Sequence, residues 1–331
     1  MPARKSATVV VLHAHSGDTA RPTGMTEVEA VADVRYVTEN GLVEALPGAE
    51  VLLVWDFRAS TLAEAWPGAD MLRWVHAASA GVNHLLTPEV VTSDVVVTNS
   101  RGVFDEPMAE YVLAMALALA KDLPTTLNRQ RERRWHHRET ERIGGKKALV
   151  AGTGPIGRAI GRKLAAAGMT VTGLGRTARA QDPDLGEVLP TSSLSEVLPD
   201  MDWVVLAAPL TDETRGMIDA KALAAMKPTA RLVNVGRGPL VVQDDLVAAL
   251  DSGALAGAAL DVFVDEPLPA SSPLWEMPNV IVSPHMSGDV VGWRSELVAL
   301  FHDNLTRYLD GDPLRNVVDK ARGYVRGKGT P

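Results

Sequence analysis

The stretch that most constrains this chain is Lys147-Ala-Leu-Val-Ala-Gly-Thr-Gly-Pro-Ile-Gly-Arg-Ala-Ile-Gly-Arg-Lys-Leu164. Its apolar run Ala148 to Ala151 suits a parallel strand buried on both faces. The chain then turns through Gly152, Gly154 and Gly157 and continues with Ile156, Ile160 and Leu164 at helical spacing. Strand, Gly-x-Gly-x-x-Gly, helix predicts a dinucleotide site rather than a purely structural glycine turn. The first glycine permits the tight turn, the second lets a pyrophosphate approach the backbone, and the third lets helix and strand pack closely. The helix N-terminus then offers N–H groups and the positive end of its dipole to phosphate. Pro155 removes one donor, so Ile156 and its neighbours supply the rest.

The chain of 331 residues is long enough for about two domains. It has no cysteine, which excludes disulfides and thiolate chemistry and fits a cytoplasmic location. The net charge of −8 argues against nucleic acid as a partner. No apolar run reaches the roughly eighteen residues of a membrane span. The first apolar run, Ala7 to Leu12, lacks a convincing cleavage site and predicts a strand rather than a signal peptide.

Further β-rich runs follow at 34–37, 51–54, 72–76 and 95–98, with helical spacing or loops between them, and Gly17 to Gly24 is a loop. After the glycine turn come runs at 169–174, 203–207, 231–235, 256–260 and 280–282. This alternation predicts α/β architecture with doubly wound parallel sheets. A strong helix is expected over Glu106 to Asp122, ended by Pro124, and a last one over about Val290 to Leu309. The mixed-charge segment Arg129 to Arg142 predicts a solvated helix face, and the tail after Lys320 is expected to fray.

Three residues each follow a strand of the expected second sheet: Arg237 in Val233-Asn-Val-Gly-Arg-Gly238, Glu266 in Leu260-Asp-Val-Phe-Val-Asp-Glu266, and His285 in Val282-Ser-Pro-His285. Taken singly, a surface arginine or a structural histidine is the commoner explanation. Taken together, strand ends of one sheet converge beside the glycine turn. A histidine beside a carboxylate can trade a proton near neutral pH, and a guanidinium can grip a carboxylate substrate. Reversible oxidation of an alcohol needs a hydride acceptor, a proton acceptor and an anchor, and this arrangement offers all three.

From about Leu72 to Leu309 the chain resembles the D-isomer-specific 2-hydroxyacid dehydrogenases. The motifs are Leu72-Arg-Trp-Val-His-Ala-Ala-Ser-Ala-Gly-Val82, Thr98-Asn-Ser-Arg-Gly-Val103, Ala109-Glu-Tyr111, Val205-Leu-Ala-Ala-Pro-Leu-Thr211 with Thr214, and Met226-Lys-Pro228. The segments holding Arg237, Glu266 and His285 match the family's catalytic residues, and the separation of 29 from Arg237 to Glu266 agrees with this. The resemblance implies a Rossmann domain, residues 100–287, inserted into a flavodoxin-like substrate domain made of 1–99 and 288–331. His285 would be the general acid and base, and Glu266 would stabilise its charged form. Arg237 would bind the substrate carboxylate with Ser79, Ala80 and Gly81. The coenzyme would lie on Gly152, Thr153, Gly154, Pro155, Ile156, Gly157, Ala208, Pro209, Thr214 and Val235, with Asp261 and His285 at the nicotinamide. The implied activity interconverts 2-keto acids and D-2-hydroxy acids. A homodimer is implied, with the Arg129–Arg142 arm at its interface. No metal is expected.

One departure bears on the coenzyme. NAD-specific members carry an acid at the end of the second strand, for the ribose 2′-hydroxyl. Here Gly173-Leu-Gly-Arg-Thr-Ala-Arg179 places Gly175 there, followed by Arg176, Thr177 and Arg179. Loss of the carboxylate and gain of guanidinium groups suit a 2′-phosphate, so NADP is expected over NAD. The rival reading is a nucleotide-sensing binding protein of corepressor type on the same fold. Trp55, Ala78, Ser79, Trp135, Met286 and Trp293 are candidates for the substrate side-chain pocket.

Overall fold

A computed structural model describes residues 6–15, 17, 20–59 and 61–325. The chain divides into two units, Met1–Val103 with Val290–Pro331, and Phe104–Asp289.

The main sheet of the first unit is built from β1 (Ala7–Leu12), β2 (Ala32–Val37), β3 (Val51–Val54), β4 (Trp74–Ala77) and β5 (Val96–Asn99). All pair in parallel, in the order β2-β1-β3-β4-β5, which is the flavodoxin-like winding. Alternate residues Val10, Leu12, Leu52, Val54, Val75, Ala77 and Val97 enter one apolar core. The helix Trp293–Asp310 belongs to this unit: Phe301 stacks on Trp74 at 5.3 Å and Tyr308 donates to Glu50 at 3.0 Å.

The second unit holds β6 (Lys147–Ala151), β7 (Thr170–Gly175), β8 (Arg179–Asp182), β9 (Gly186–Pro190), β10 (Trp203–Leu206), β11 (Arg231–Asn234), β12 (Gly257–Leu260) and β13 (Val280–Val282). Their order is β13-β12-β11-β10-β6-β7-β9-β8, parallel throughout except for the antiparallel β8–β9 pair. The two-residue period of a strand sorts its side chains into two cores. Leu149, Ala151, Val204, Leu206, Leu232, Ala258 and Leu260 enter one, while Ala148, Val150, Trp203, Val205, Val233 and Ala259 enter the other. Burial on both faces explains why these strands are continuously apolar in sequence. The winding reverses between β6 and β10, and the glycine turn leaves β6 at that point. Both sheets are thus of the expected doubly wound α/β class.

Four expectations are corrected. The mixed-charge segment is helical only as far as Arg131, within Leu123–Arg131. Arg133 takes a left-handed backbone at φ 55°, and residues 134–143 have no regular structure. With no apolar stripe to bury, this segment is tied down by ion pairs instead: Arg138 with Asp122 at 2.7 Å and Arg231 with Glu141 at 2.8 Å. Pro124 does not end the preceding helix. Asp105–Ala120 stops ahead of left-handed Asp122, and Pro124 lies in the first turn of the next helix. The β8–β9 pair was not foreseen, because Arg-Ala-Gln-Asp lacks apolar alternation. The tail after Lys320 does not fray at once: Tyr324–Val325 pairs antiparallel with Val318–Asp319, and the Val325 carbonyl accepts from Arg101 Nη1 at 3.1 Å. Positions 18 and 19 of the Gly17–Gly24 loop and residues 326–331 of the tail lie outside the described residues. Among the described residues no helix is long and apolar enough to cross a membrane.

Candidate active site

The glycine turn is set by close packing. Gly152 has φ 111°, and a Cβ there would lie 2.5 Å from the Ala207 carbonyl oxygen. A Cβ on Gly157 would lie 1.8 Å from the Gly152 oxygen, so strand and helix meet backbone to backbone. Gly154 differs: apart from its immediate chain neighbours, no atom of the described residues crowds within 4 Å of where its Cβ would be. It precedes the helix Pro155–Ala166 without a side-chain cap. Protein packing therefore demands the outer two glycines. The open cradle at Gly154, at the uncapped N-terminus of a twelve-residue helix, fits a phosphate of a dinucleotide. Thr153, Pro155 and Ile156 are partly exposed along this turn.

Past β7, Arg176 and Thr177 are exposed and Arg179 is partly so. Arg179 Nε donates to Asp182 Oδ2 at 2.9 Å, while its Nη2 is buried with no hydrogen-bond partner among the described residues. Asp182 also takes both arms of Arg158, at 2.8 and 2.7 Å. Burial pulls the Asp182 carboxyl upward, but Arg158, the Asp184 N–H and Arg179 outweigh it and hold it below the ordinary carboxylate range. A Cβ on Gly175 would meet Thr153 Cγ2 and Oγ1, each at 2.9 Å. Sequence reasoning missed Asp182 and Arg158, which lie outside the glycine motif and gave no pattern of their own.

In the loop after β10, Ala208 is buried and Pro209 exposed. Thr214 Oγ1 donates to the Pro209 carbonyl at 2.7 Å and accepts from the Thr211 N–H at 2.8 Å, bracing the loop. Val235 is buried and donates its N–H to Leu206 at 3.1 Å.

The three chemically capable residues gather past β11, β12 and β13. His285 Nδ1 and Glu266 Oε2 are 2.7 Å apart. Glu266 Oε1 accepts from the Phe263 N–H at 2.9 Å. Burial raises the Glu266 carboxyl, but the hydrogen bond to His285, its charge, the Phe263 N–H and the charge of Arg237 together leave it below its ordinary value. Arg237 is electrostatically coupled to Glu266; burial pulls its guanidinium downward and Glu266 opposes the shift. Its Nη1 donates to the Gly236 carbonyl at 2.6 Å. Gly238 makes this grouping possible: a Cβ there would lie 1.9 Å from the Phe263 carbonyl carbon and oxygen. The loop after β11 thus rests directly on the loop that carries Glu266. Asp261 is fully buried, with both carboxylate oxygens engaged by its own unit.

The loop with Ser79, Ala80 and Gly81 belongs to the first unit. Ser79 Oγ donates to the Gly81 carbonyl at 2.7 Å, Asn99 Nδ2 to the Ala80 carbonyl at 2.6 Å, and the Ser100 N–H to the Ser79 carbonyl at 3.0 Å. Three successive carbonyls are thereby held, which fixes the peptide planes between them. Of the pocket candidates, Trp55 and Ala78 are buried, while Trp135 is fully exposed.

The family profile described as D-isomer specific 2-hydroxyacid dehydrogenase, NAD binding domain, matches residues 113–287. The chain belongs to the D-isomer-specific 2-hydroxyacid dehydrogenase family. This dehydrogenase is 31% identical to a glyoxylate reductase of Thermococcus gammatolerans over 314 residues, covering 92% of each chain. It is also similar to a crystal structure of a D-isomer specific 2-hydroxyacid dehydrogenase from Xanthobacter autotrophicus in complex with NADPH and MES. That match has TM-score 0.81 and 32% identity, over 97% of this chain and 100% of the other. An NADPH-dependent glyoxylate/hydroxypyruvate reductase of Sinorhizobium meliloti, in complex with NADP and sulfate, matches with TM-score 0.79 and 29% identity, over 97% and 100% of the two chains. The dehydrogenase is an NAD(P)-dependent oxidoreductase that interconverts 2-keto acids and 2-hydroxy acids. The corepressor-like alternative finds no support in the relatives named here.

Proposed function

We propose that this dehydrogenase reduces small 2-keto acids, of the glyoxylate and hydroxypyruvate kind, to D-2-hydroxy acids with NADPH. The observation that carries the reading is the His285–Glu266 pair at 2.7 Å. Ionised Glu266 accepts from Nδ1, so Nε2 is the nitrogen that gives its proton to the keto oxygen. Arg237 presents its planar donors to the substrate carboxylate and fixes the carbon to be reduced. A bound nicotinamide coenzyme supplies the hydride. Residues 100–287 serve as the dinucleotide-binding domain, with 1–99 and 288–331 as the substrate domain.

Preference for NADP is supported by three features. Thr153 leans over Gly175, where an acidic side chain would begin. Arg176 and Thr177 are exposed beside it, and Arg179 carries a buried N–H with no partner, which suits a phosphate oxygen. The relatives crystallised with NADPH and NADP point the same way. We also propose a homodimer, supported by exposed Leu117, Leu123, Leu127 and Trp135 around the Arg129–Arg142 arm, and a cytoplasmic location, in keeping with the absence of cysteine.

The test is steady-state kinetics with a panel of keto acids and both coenzymes. Higher kcat/KM with NADPH and a small keto acid is expected. Equal or better efficiency with NADH overturns the coenzyme preference. Tight nucleotide binding without turnover of any acid overturns the enzymatic reading.

A further inference from the structure

His285 has a left-handed backbone, φ 54°, which residues with a side chain seldom adopt. Such a conformation persists only where its surroundings impose it. Here the agent is Asp261, fully buried at the end of β12. Its carbonyl accepts from the His285 N–H at 2.8 Å. Its Oδ1 accepts from the Met286 N–H at 2.9 Å, and its Oδ2 from the Ser287 N–H at 2.9 Å. Three consecutive N–H groups, starting with that of His285, therefore converge on one residue.

Oδ1 has a second partner, Ser283 Oγ, at 2.6 Å. Ser283 Oγ is in turn hydrogen-bonded to the hydroxyl of Tyr111, on the helix Asp105–Ala120. The protons can be assigned by counting. Backbone N–H groups only donate, so both Asp261 oxygens act as acceptors. The single hydroxyl proton of Ser283 goes to Asp261, and Tyr111 must then donate to Ser283. Burial, with the charge of Asp261, pushes the Tyr111 phenol up to about 12 despite the Ser283 hydrogen bond, so it keeps that proton.

We propose that Tyr111 is a positioning residue for proton transfer, orienting the Ser283 hydroxyl onto Asp261 so that the carboxylate braces the turn presenting His285. The inference rests on His285 being the proton-transfer group. It adds a residue from the helix Asp105–Ala120 that acts on His285 only through Ser283 and Asp261.

The experiment measures kcat, keto-acid KM, coenzyme Kd and melting temperature for Tyr111→Phe, Ser283→Ala, the double variant, Ser283→Thr and His285→Gln. Ser283→Ala should lower kcat about ten- to hundredfold and Tyr111→Phe about three- to tenfold, with KM and Kd within about twofold of the parent. Because Tyr111 acts only through Ser283, the double variant should be no slower than Ser283→Ala alone. Ser283→Thr keeps the hydroxyl and should retain the parent kcat. An unchanged kcat in Tyr111→Phe overturns the proposal, as do multiplying losses in the double variant or a rise in KM with kcat intact. Should Tyr111→Phe not fold, the Ser283→Ala and Ser283→Thr pair decides, and equal kcat in those two overturns the relay. Substantial turnover by His285→Gln would instead sink the reading of His285 itself.

Discussion

Each sheet carries a histidine near the carboxyl end of a parallel strand, and the two are opposites. His76, in β4 of the five-stranded sheet, is fully buried. Its Nδ1 lies 2.7 Å from Thr98 Oγ1, which also accepts from Trp74 Nε1 at 2.7 Å. Burial pushes its pKa down to about 3. His285, past β13 of the eight-stranded sheet, is partly exposed and faces the carboxylate of Glu266. One imidazole is sealed among neutral hydroxyl and indole groups and has no use for a proton. The other is reachable and has an ionised partner. Position on a strand does not make a histidine reactive; access and a charged neighbour do.

The comparison breaks most sharply at the histidines themselves. His285→Gln should lower turnover by about 10²- to 10⁴-fold while coenzyme affinity, read by fluorescence titration, stays near the parent value. His76→Asn should instead leave kcat within about tenfold and cost stability of about 1–3 kcal/mol, seen in chemical denaturation. Turnover lost in His76→Asn as deeply as in His285→Gln would end the distinction.

The same contrast of a satisfied and an available charge applies to two arginines. Arg158 is paired twice, with Asp182 and Asp184, whereas Arg179 shares Asp182 and keeps one buried N–H unpartnered. Arg179→Ala should reduce kcat/KM for NADPH by about ten- to hundredfold, the worth of a charge-assisted contact, with little change for NADH. Equal losses with both coenzymes would assign Arg179 to structure alone.

The smallest effects concern pH and stability. His76 is depressed from 6.5 to about 3, so the unfolded chain binds the extra proton and stability falls as pH drops from 6.5 towards 3. Glu266 is depressed below 4.5, so its contribution is complete above that value and is lost as pH falls through its lower folded value. Melting temperatures across pH 3 to 7 should show His76→Asn flattening the slope throughout from 6.5 down towards 3 and Glu266→Gln only the part below 4.5. A His76→Asn slope identical to the parent's would mean that the imidazole stays accessible to protons.

Much of this was legible without coordinates. Apolar runs such as Val51–Val54 and Val280–Val282 became strands with unchanged limits, because burial on both faces leaves a continuous hydrophobic signature. Arg237, Glu266 and His285 stand out in the sequence because each follows a strand end within a segment of recognisable neighbours. The β8–β9 pair escaped notice because Asp182, rather than an apolar alternation, holds it to Arg158 and Arg179. The Arg129–Arg142 segment misled because alternating charge fits a helix face and an extended, ion-paired segment equally well.

Sequence alone determined the strand–glycine–helix unit, the doubly wound class and the residue types able to move a proton or hold a carboxylate. These depend on local geometry and periodicity, which neighbouring residues encode. Tertiary structure alone decided which histidine meets a carboxylate, which aspartate braces the His285 turn, and which arginine keeps an unsatisfied donor. Those are matters of distance and desolvation between groups far apart in the chain, such as Tyr111 and Ser283, and only the fold sets them.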